Sequence, residues 1–426
     1  MSAVHELRVS HGKSGPPPRP RSKVAATTRG REECIALFGL FGCGNLGNDG
    51  SLESMLSFLK EKRPDARVFC ICKMPDVVTE DFGIETVPIR LPKTKNVARL
   101  LDRIFLKVPG KAMDFIHAIR HLRKAGVMVV PGTGILDDFG EAPKGVPFDI
   151  FAWCLAARLA GTRIAFVSIG AGPIRRRLSR WLMTSAARMA DYRSYRDTGS
   201  MDFMESVGFD TSGDSIYPDL AFKLPVPLLA DAERSRQVTV GVGVMNYRGW
   251  YGFEERGQGV FEGYVAKMAQ FVAHLLANGY NVRLLTGDDD DAPAVEAVMA
   301  ALGESHKQRL SYEPVRHLHD VISQVSRTDL VVATRFHNVV AALMAEKPVI
   351  SLSYAPKNDL LLERMGLGGY CQHVDSFDVG LLLEQFSRLA ENREEHSRTI
   401  SCRVGKFRKS LELQGEFLLS TVLRKD

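Results

Sequence analysis

Short apolar runs alternate with amphipathic stretches along the chain from about residue 34 onward. Strands are predicted at Cys34–Phe41, Arg67–Cys72, Val127–Val130 and Arg163–Ile169, and helices at Gly50–Lys62 and Asp149–Leu159. Strands that are apolar on both faces and alternate with helices are typical of parallel sheets covered on both sides. The first part of the chain is therefore expected to be an α/β domain.

A second alternating series follows the stretch Leu224–Gln237, which is Pro-rich, then charged, and predicts a linker. Strands are predicted at Val238–Val244, Asn281–Thr286, Asp329–Thr334 and Val349–Tyr354, helices at Phe261–Ala277 and Asn338–Glu346, and further helix from about Val379. We expect two doubly wound Rossmann-like domains, residues 33–225 and 236–426, with a ligand in the cleft between them.

Most of the net charge lies at the start of the chain. Residues 1–32 contribute +5 of the formal +6 and contain Pro16-Pro17-Pro18, so they are predicted to be a disordered basic tail. A second interpretation is an electrostatic tether to an anionic membrane surface. The remaining residues are nearly neutral, so no nucleic-acid partner is predicted.

The composition also limits the compartment and the class of protein. The chain has 426 residues, 45% of them apolar and 25% charged, as in soluble two-domain proteins. The seven cysteines are unclustered and form no CxxC pair, which disfavours a disulfide framework and a zinc site. No apolar run is long enough to span a bilayer, and no signal peptide is visible. A cytoplasmic protein is expected, and the second interpretation of the tail would place it at the inner face of the cytoplasmic membrane.

The first predicted strand ends in Gly42-Cys43-Gly44-Asn45-Leu46-Gly47, a GxGxxG pattern. Such a loop binds a dinucleotide, forms a structural turn, or contacts another substrate through Gly44 and Asn45. A dinucleotide site needs an acidic residue after the second strand, and that place holds Cys72 and Lys73. The dinucleotide interpretation is therefore the weakest of the three.

A second glycine-rich loop, residues 131–138, follows the strand Val127–Val130. Ligands bind at the carboxyl ends of parallel strands, so Gly132 and Gly134 are candidate substrate-binding residues. The carboxylates of Asp137 and Asp138 either polarise a sugar hydroxyl or cap the next element. Both alternatives remain open from the sequence.

The most specific cluster is Thr334-Arg335-Phe336-His337, where an apolar strand runs into a helix. Extended backbone would point Arg335 and His337 to the same side. Arginine binds carboxylate or phosphate through two parallel hydrogen bonds, and histidine transfers protons near neutral pH. The next predicted strand leads to Lys357, so the three residues predict a pocket for a small, multiply charged anion. The alternative is a strand-end ion pair with a capping histidine.

Two further groups have the residue types of metal ligands but also suit helix starts. Acidic residues at Asp288–Asp291 are favourable at a helix N-terminus without any metal. His317 and His319 have too few partners for a site, so helix capping is expected there. No metal and no organic cofactor are predicted.

Taken together, these motifs resemble those of the bacterial polysaccharide pyruvyl transferases. The similar segments are Gly44-Asn45-Leu46-Gly47, Gly132-Thr133-Gly134-Ile135-Leu136-Asp137, Tyr195-Arg196-Asp197, Arg335-Phe336-His337, and Lys347-Pro348-Val349-Ile350 through Tyr354 to Lys357. One departure is Asn48, which occupies the place of a family aspartate and is followed by Asp49. The resemblance implies a fold similar to the B-type glycosyltransferases.

The resemblance also implies an activity and a division of roles. Phosphoenolpyruvate would be the donor, a sugar on a lipid-linked or growing glycan the acceptor, and a pyruvate ketal the product. Arg335, Arg196 and Lys357 would bind the donor, and His337 would protonate its methylene carbon as the general acid. Asp138 or Asp49 would accept the sugar proton.

Two other functions are compatible with the same architecture. A nucleotide-sugar glycosyltransferase often has two glutamates eight residues apart, but Glu363 is followed at that distance by Cys371. A non-catalytic glycan-binding protein would not need Arg335, His337 and Lys357. Fold alone does not distinguish these functions.

Overall fold

The computed structural model describes residues 33–92, 108–138, 140–227, 237–249, 254–303 and 308–424. The predicted basic tail and most of the predicted linker lie outside the described residues. Within the described ranges, no helix has the length and apolar character needed to cross a membrane.

The first sheet has seven parallel strands. They are β1 (Cys34–Phe38), β2 (Arg67–Cys72), β3 (Glu85–Pro88), β4 (Val127–Pro131), β5 (Arg163–Ile169), β6 (Tyr192–Tyr195) and β7 (Ser215–Ile216). Their spatial order is β3-β2-β1-β4-β5-β6-β7, the Rossmann order with one added edge strand.

Helices cover both faces of this sheet. They are α1 (Leu46–Lys62), α2 (Pro75–Phe82), α3 (Val108–Leu122), α4 (Val146–Ala160), α5 (Arg177–Arg188) and α6 (Thr198–Ser206), followed by a 3₁₀ helix at Leu220–Lys223. Right-handed crossovers place α1 and α2 on one face, and α3 to α6 on the other.

The second sheet repeats this arrangement with six parallel strands. They are β8 (Thr239–Gly243), β9 (Asn281–Leu285), β10 (Leu310–Tyr312), β11 (Leu330–Ala333), β12 (Val349–Ser353) and β13 (Cys371–His373), in the order β10-β9-β8-β11-β12-β13. Its helices are α7 (Glu255–Ala277), α8 (Ala292–Leu302), α9 (Leu318–Ser326), α10 (Phe336–Met344), α11 (Pro356–Met365), α12 (Val379–Glu391) and α13 (Arg393–Phe417). The predicted α/β class with two Rossmann-like sheets is confirmed.

Most predicted elements differ from the observed ones only at their ends, and α1 is the informative exception. It begins at Leu46 rather than at Gly50, because the Asn45 side chain accepts a hydrogen bond from the backbone N–H of Asn48 and caps the helix. The last glycine of the GxGxxG pattern, Gly47, therefore lies inside the first turn of α1.

The two sheets share a core and are joined again by the last long helix. The apolar core beneath α1 continues into the second sheet, whereas α3 to α5 cover a separate core on the other face. Helix α13 returns to the first sheet, where Gln414 is 1% exposed. Its side-chain NH₂ donates to Ser194 Oγ at 2.9 Å, and its carbonyl oxygen accepts from Ser168 Oγ at 3.1 Å.

Replacing Gln414 by Ala should lower the stability of the protein by ~1–3 kcal/mol, because the buried hydroxyls of Ser168 and Ser194 lose a hydrogen-bond partner. The shift in thermal unfolding temperature measures this effect. Glu416→Ala, on the exposed side of the same helix, is the matched control and should unfold like the wild type. Equal unfolding temperatures for both variants would contradict this role of Gln414.

Candidate active site

The glycine-rich and Arg-His motifs lie at the ligand-binding edges of the two sheets. Strand order reverses between β1 and β4 in the first sheet, and between β8 and β11 in the second. Open α/β sheets bind ligands outside the carboxyl ends of the strands at such points. The glycine-rich loops follow β1 and β4, and Arg335 follows β11. A backbone bridge between Asn45 and Asp288 joins the two edges across the cleft.

His337 packs against the start of α1 across this cleft. A Cβ atom placed on Gly47 would lie 1.8 Å from Cε1 of His337, so any larger residue would displace the imidazole. The Nε2 atom of His337 is buried without a hydrogen-bond partner and lies 3.9 Å from Oδ2 of Asp219. The glycine that ends the GxGxxG pattern thus serves the close approach of a histidine.

Arg196 enters the same cleft from the end of β6 and is 8% exposed. Its Nη1 lies 3.2 Å from Oδ2 of Asp219, and its Nε lies 3.5 Å from Oδ2 of Asp197. The guanidinium carbon is 4.8 Å from the centre of the Phe336 ring. Gly170 leaves the room for it, since a Cβ atom there would come within 2.8 Å of Nη2.

Arg335 forms a two-pronged ion pair with Asp291. Its Nε and Nη2 donate to the two carboxylate oxygens at 2.9 and 2.6 Å, and Asp291 is fully buried. The remaining nitrogen, Nη1, lies 3.7 Å from Oδ2 of Asp288. The two parallel N–H groups of Arg335 that were predicted to bind the donor are therefore already bound to Asp291.

The geometric reason for pairing Arg335 with His337 is wrong. Arg335 is the N-cap of α10, and His337 lies inside the helix rather than on extended backbone. The two side chains approach the cleft in different directions, Arg335 towards Asp291 and His337 towards Gly47. They still belong to one electrostatic cluster, because the charge of Arg335 lowers the pKa of His337.

Lys357 completes the cluster from the first turn of α11. Its Nζ lies 5.3 Å from the centre of the Phe336 ring and 4.9 Å from that of the Tyr354 ring. Burial opposes ionisation of Tyr354, but the positive charges of Lys357, Arg335 and Arg196 outweigh it and lower the pKa of the phenol. Within the described residues Lys357 has no carboxylate partner.

These charges determine the protonation state of His337. Burial, together with Arg196, Lys357 and Arg335, holds the pKa of His337 well below its usual value. The imidazole is therefore neutral near pH 7. An anion bound beside it would oppose the three positive charges and raise that pKa again.

Two helices begin at this point without a side-chain cap. The residues at these two starts, Arg335 before α10 and Ala355 before α11, have side chains that accept no hydrogen bond from the N–H groups of the first turn. Helix N-termini carry a positive partial charge and favour bound anions. The backbone thus adds to the positive potential of Arg196, Arg335 and Lys357.

Three carboxylates lie in the site that the sequence did not assign to it: Asp219, which was not singled out, and Asp288 and Asp291, which were assigned to a helix start. Burial raises the pKa of Asp288 to about 6, although Arg335 opposes the shift. Burial also raises the pKa of Asp219, against the influence of Arg196. Asp288 and Asp291 follow the carboxyl end of the predicted strand Asn281–Thr286, and this position could have indicated that they belong to the site.

The predicted carboxylates Asp49 and Asp138 accept hydrogen bonds from backbone N–H groups. Asp49 accepts a hydrogen bond from the backbone N–H of Gly42 at 2.8 Å. Asp138 is 7% exposed, and its two oxygens accept from the backbone N–H groups of Arg175 and Arg176 at 2.8 and 3.0 Å. Asp138 therefore holds the turn before α5 and does not cap the helix that follows it in the chain, whose N-cap is Gly145. Its contact with a sugar hydroxyl stays a prediction.

The predicted glycines serve different purposes. Gly44 and Gly132 have φ values of +80° and +57°, which favour glycine. Gly132 also lies against Ser51, whose Oγ would be 2.6 Å from an added Cβ atom. Gly134 lies beside Arg196, with Nη2 3.9 Å from the position of a Cβ atom. Across the described residues, no cluster of three potential metal ligands is found.

Comparison with solved structures shows a fold shared with enzymes that have two Rossmann-like domains. HepE from Anabaena, in complex with UDP-glucose, has a TM-score of 0.59 at 12% identity, covering 91% of this chain and 99% of that chain. MnaA from S. aureus, in a co-structure with UDP, has a TM-score of 0.57 at 12% identity, covering 86% and 90%. A glycosyltransferase from Rickettsia africae has a TM-score of 0.52 at 12% identity, covering 90% and 98%. The chain therefore has a fold like that of the B-type glycosyltransferases.

Comparison with protein families identifies the particular group. Residues 45–356 match the family Polysaccharide pyruvyl transferase. The chain belongs to the polysaccharide pyruvyl transferase family. Comparison with curated proteins gives no significant match.

Replacing Lys357 by Met should raise the pKa of His337, because one of the positive charges that oppose protonation of the imidazole is removed. A pH titration of the histidine Cε1–H signals by NMR measures this, with His337→Gln assigning the resonance. Lys406→Met, on the exposed side of α13, is the control and should leave the titration of His337 unchanged. An identical His337 titration in Lys357→Met and wild type would contradict the electrostatic cluster.

Proposed function

We propose that this protein transfers the pyruvyl group of phosphoenolpyruvate onto a sugar of a polysaccharide or of its lipid-linked precursor, forming a pyruvate ketal. The observation that carries the proposal is the convergence of Arg196, Arg335 and Lys357 around His337. Membership in the family supports the transferase class. The donor and the product are our inference from the charges of the site.

The cluster suits a donor with a carboxylate and a phosphate. Lys357 has no carboxylate partner in the described part of the chain, so it offers its charge to a ligand. Arg196 makes one contact with Asp219 and one with Asp197. In contrast, Nε and Nη2 of Arg335 both donate to Asp291. We therefore assign direct donor binding to Lys357 and Arg196, and we assign to Arg335 the long-range positive potential.

His337 is proposed as the general acid. A proton added to the methylene carbon of phosphoenolpyruvate produces a methyl group and an oxocarbenium-like carbon, which the sugar hydroxyls attack. The carbon–oxygen bond to phosphate breaks, and two new carbon–oxygen bonds form the ketal. Of the two hydroxyl protons, one balances the proton on the methyl group and the other leaves with the phosphate. Positive charge around the leaving phosphate stabilises the transition state.

His337 has to be protonated before it can act as an acid, and we infer that binding of the donor brings about this protonation. In the free site, burial and three cations keep His337 neutral. The negative charges of phosphoenolpyruvate would offset those cations and raise the pKa of the imidazole. Donor binding would thus protonate His337, which then gives this proton to the methylene carbon.

The carboxylate that accepts the sugar proton is proposed to be Asp288. A base is most effective when its pKa lies near the working pH, and the pKa of Asp288 is about 6. Its side chain is 16% exposed and lies at the point where the two sheet edges meet. Both oxygens of Asp138 accept backbone hydrogen bonds, and Asp49 accepts one from Gly42. Asp288 also accepts one, through Oδ1 from the backbone N–H of Asp290, while its Oδ2 lies 3.7 Å from Nη1 of Arg335.

A nucleotide-sugar glycosyltransferase is the second candidate. Similar folds have been solved with UDP and with UDP-glucose, and arginines of such a cleft also suit a diphosphate. In both candidates the acceptor is a sugar, and we expect the reaction on the cytoplasmic side of the membrane. The two candidates differ in the donor.

Phosphoenolpyruvate should raise the thermal unfolding temperature of the protein, because a ligand that binds only the native state stabilises it. Differential scanning fluorimetry with phosphoenolpyruvate, and separately with uridine diphosphate, separates the two candidates. Lys357→Met and Arg196→Met should lose the stabilisation by phosphoenolpyruvate, and Lys406→Met should retain it. Stabilisation by uridine diphosphate alone would favour the glycosyltransferase.

Binding of phosphoenolpyruvate near pH 7 should be accompanied by proton uptake, since the pKa of His337 moves from well below its usual value towards it. Calorimetric titration in two buffers of different ionisation enthalpy measures the proton. His337→Gln should bind the donor without taking up that proton, and its turnover should fall by ~10²–10⁴-fold, the usual contribution of general acid catalysis.

The contrary outcomes are distinct. Proton uptake that persists in His337→Gln would assign the proton to another group, with Asp288 the first to examine. Near-normal turnover of His337→Gln would remove the acid role while leaving the donor site in place. Phosphate released from phosphoenolpyruvate in the presence of lipid-linked sugars is the measure of turnover.

A further inference from the structure

The surface of α5 combines arginines with large exposed apolar side chains. Residues 172–190 contain five arginines and no acidic residue. Leu178 is 53% exposed and Trp181 is 56% exposed, although the opposite side of the helix is buried. A helix with a buried face seldom leaves a tryptophan in water without a partner for it.

Neighbouring helices extend this apolar surface. The ring of Trp181 lies 5.4 Å from that of Phe151 on α4, and Leu159 follows two turns along the same helix with 62% exposure. Beyond α4, the helix α3 exposes Met113 and Ile116 by 57% and 65%. The helices α3, α4 and α5 cover one face of the first sheet, so their exposed residues belong to one side of the molecule.

The arginines are placed around the start of α5. Arg175, Arg176 and Arg177 are exposed, and Arg188 is exposed at the other end of the helix. The turn that holds the first two is fixed by Asp138, whose carboxylate accepts their backbone N–H groups. The backbone of this turn is therefore held in place, and Nη1 of Arg176 donates to the carbonyl oxygen of Glu141.

This surface adjoins the cleft. The turn before α5 follows β5, and its first residue, Gly170, lies directly against the guanidinium of Arg196. The loop of Gly132–Asp138 touches both regions, since Gly134 is beside Arg196 and Asp138 holds the arginine turn. A surface bound by α5 would thus lie next to the opening of the site.

We propose that the exposed face of α5, with Leu178, Trp181 and the arginines at its start, docks the protein onto an anionic lipid bilayer. Arginines attract the negative charge of the headgroups, and leucine and tryptophan suit the boundary between headgroups and acyl chains. An anionic bilayer is favoured over a second copy of this face, because a second copy would bring the three exposed arginines at the start of α5 against three others. This inference goes beyond the proposed reaction and does not depend on the identity of its donor.

Vesicle co-sedimentation of the full chain tests the proposal. Vesicles of phosphatidylglycerol with phosphatidylcholine should bind the protein, and vesicles of phosphatidylcholine alone should bind it weakly. The double substitution Arg176→Glu with Arg177→Glu should weaken binding roughly tenfold or more, since the attraction to anionic lipid is reversed at two positions. Acidic residues are favourable in the first turn of a helix, so this variant should fold.

Apolar contact is tested separately. Leu178→Ser with Trp181→Ser should also weaken binding, and brominated lipids should quench tryptophan fluorescence of the wild type but much less that of Trp181→Phe. Matched controls are Lys406→Glu with Lys409→Glu for charge and Leu381→Ser for exposed apolar area, all on the other half of the chain. These controls should bind vesicles like the wild type.

Three results would overturn the proposal. Full vesicle binding by both α5 variants would show that this face is not the docking surface. Loss of binding only when residues 1–32 are removed would assign the interaction to the basic tail. A dimer in solution that dissociates in Leu178→Ser with Trp181→Ser would show that a second copy of the chain covers the face.

Discussion

The structure depends on an electrostatic constraint: three cationic side chains surround one largely buried imidazole. Such a concentration of charge is stable only if carboxylates offset it nearby. Asp291 is fully buried against Arg335, and Asp219 is 3% exposed beside Arg196. These carboxylates offset part of the charge of Arg196 and Arg335. Burial and the remaining positive potential lower the pKa of His337, so the imidazole stays neutral. The compensation is incomplete at Lys357, and this imbalance is the basis of the anion binding that we propose for the cleft.

The same cluster requires both halves of the molecule. Arg196 comes from the first sheet, whereas Arg335 and Lys357 come from the second. Helix α13 helps to hold them together, because Gln414 binds Ser168 on β5. Ser168 has a φ value of +51°, a conformation that costs energy for a residue with a side chain and needs support from its surroundings. Two residues further along the chain, Gly170 leaves room for the guanidinium of Arg196. The C-terminal helix therefore stabilises the end of β5, next to Arg196.

Local sequence patterns predicted the architecture but not the long-range pairs. Arg67–Cys72 and Arg163–Ile169 were predicted with their observed ends, because continuous apolar runs identify buried parallel strands. The pairing of Arg335 with Asp291 joins residues 44 positions apart, and no local pattern indicates it. Asp288–Asp291 suited a helix start, which is also what the structure shows, so the second role of these acids was hidden by the first. His337 was expected on extended backbone beside Arg335, and this is wrong because α10 begins before it; its role as the acid stays a prediction.

The molecule has two sets of arginines in different electrostatic environments, one in the cleft and one on the surface at the start of α5. Arg196 and Arg335 lie in the cleft with aspartate partners at 3.2 and 2.6 Å, so only part of their charge is available to a ligand. Arg176 and Arg177 are exposed, and the carboxylate of Asp138 binds the backbone of their turn. Salt screens exposed charges strongly and buried ones weakly. Ionic strength should therefore act on the outer arginines much more than on the cleft, so that the proposed association with an anionic surface would weaken with salt while the electrostatics of the site change little.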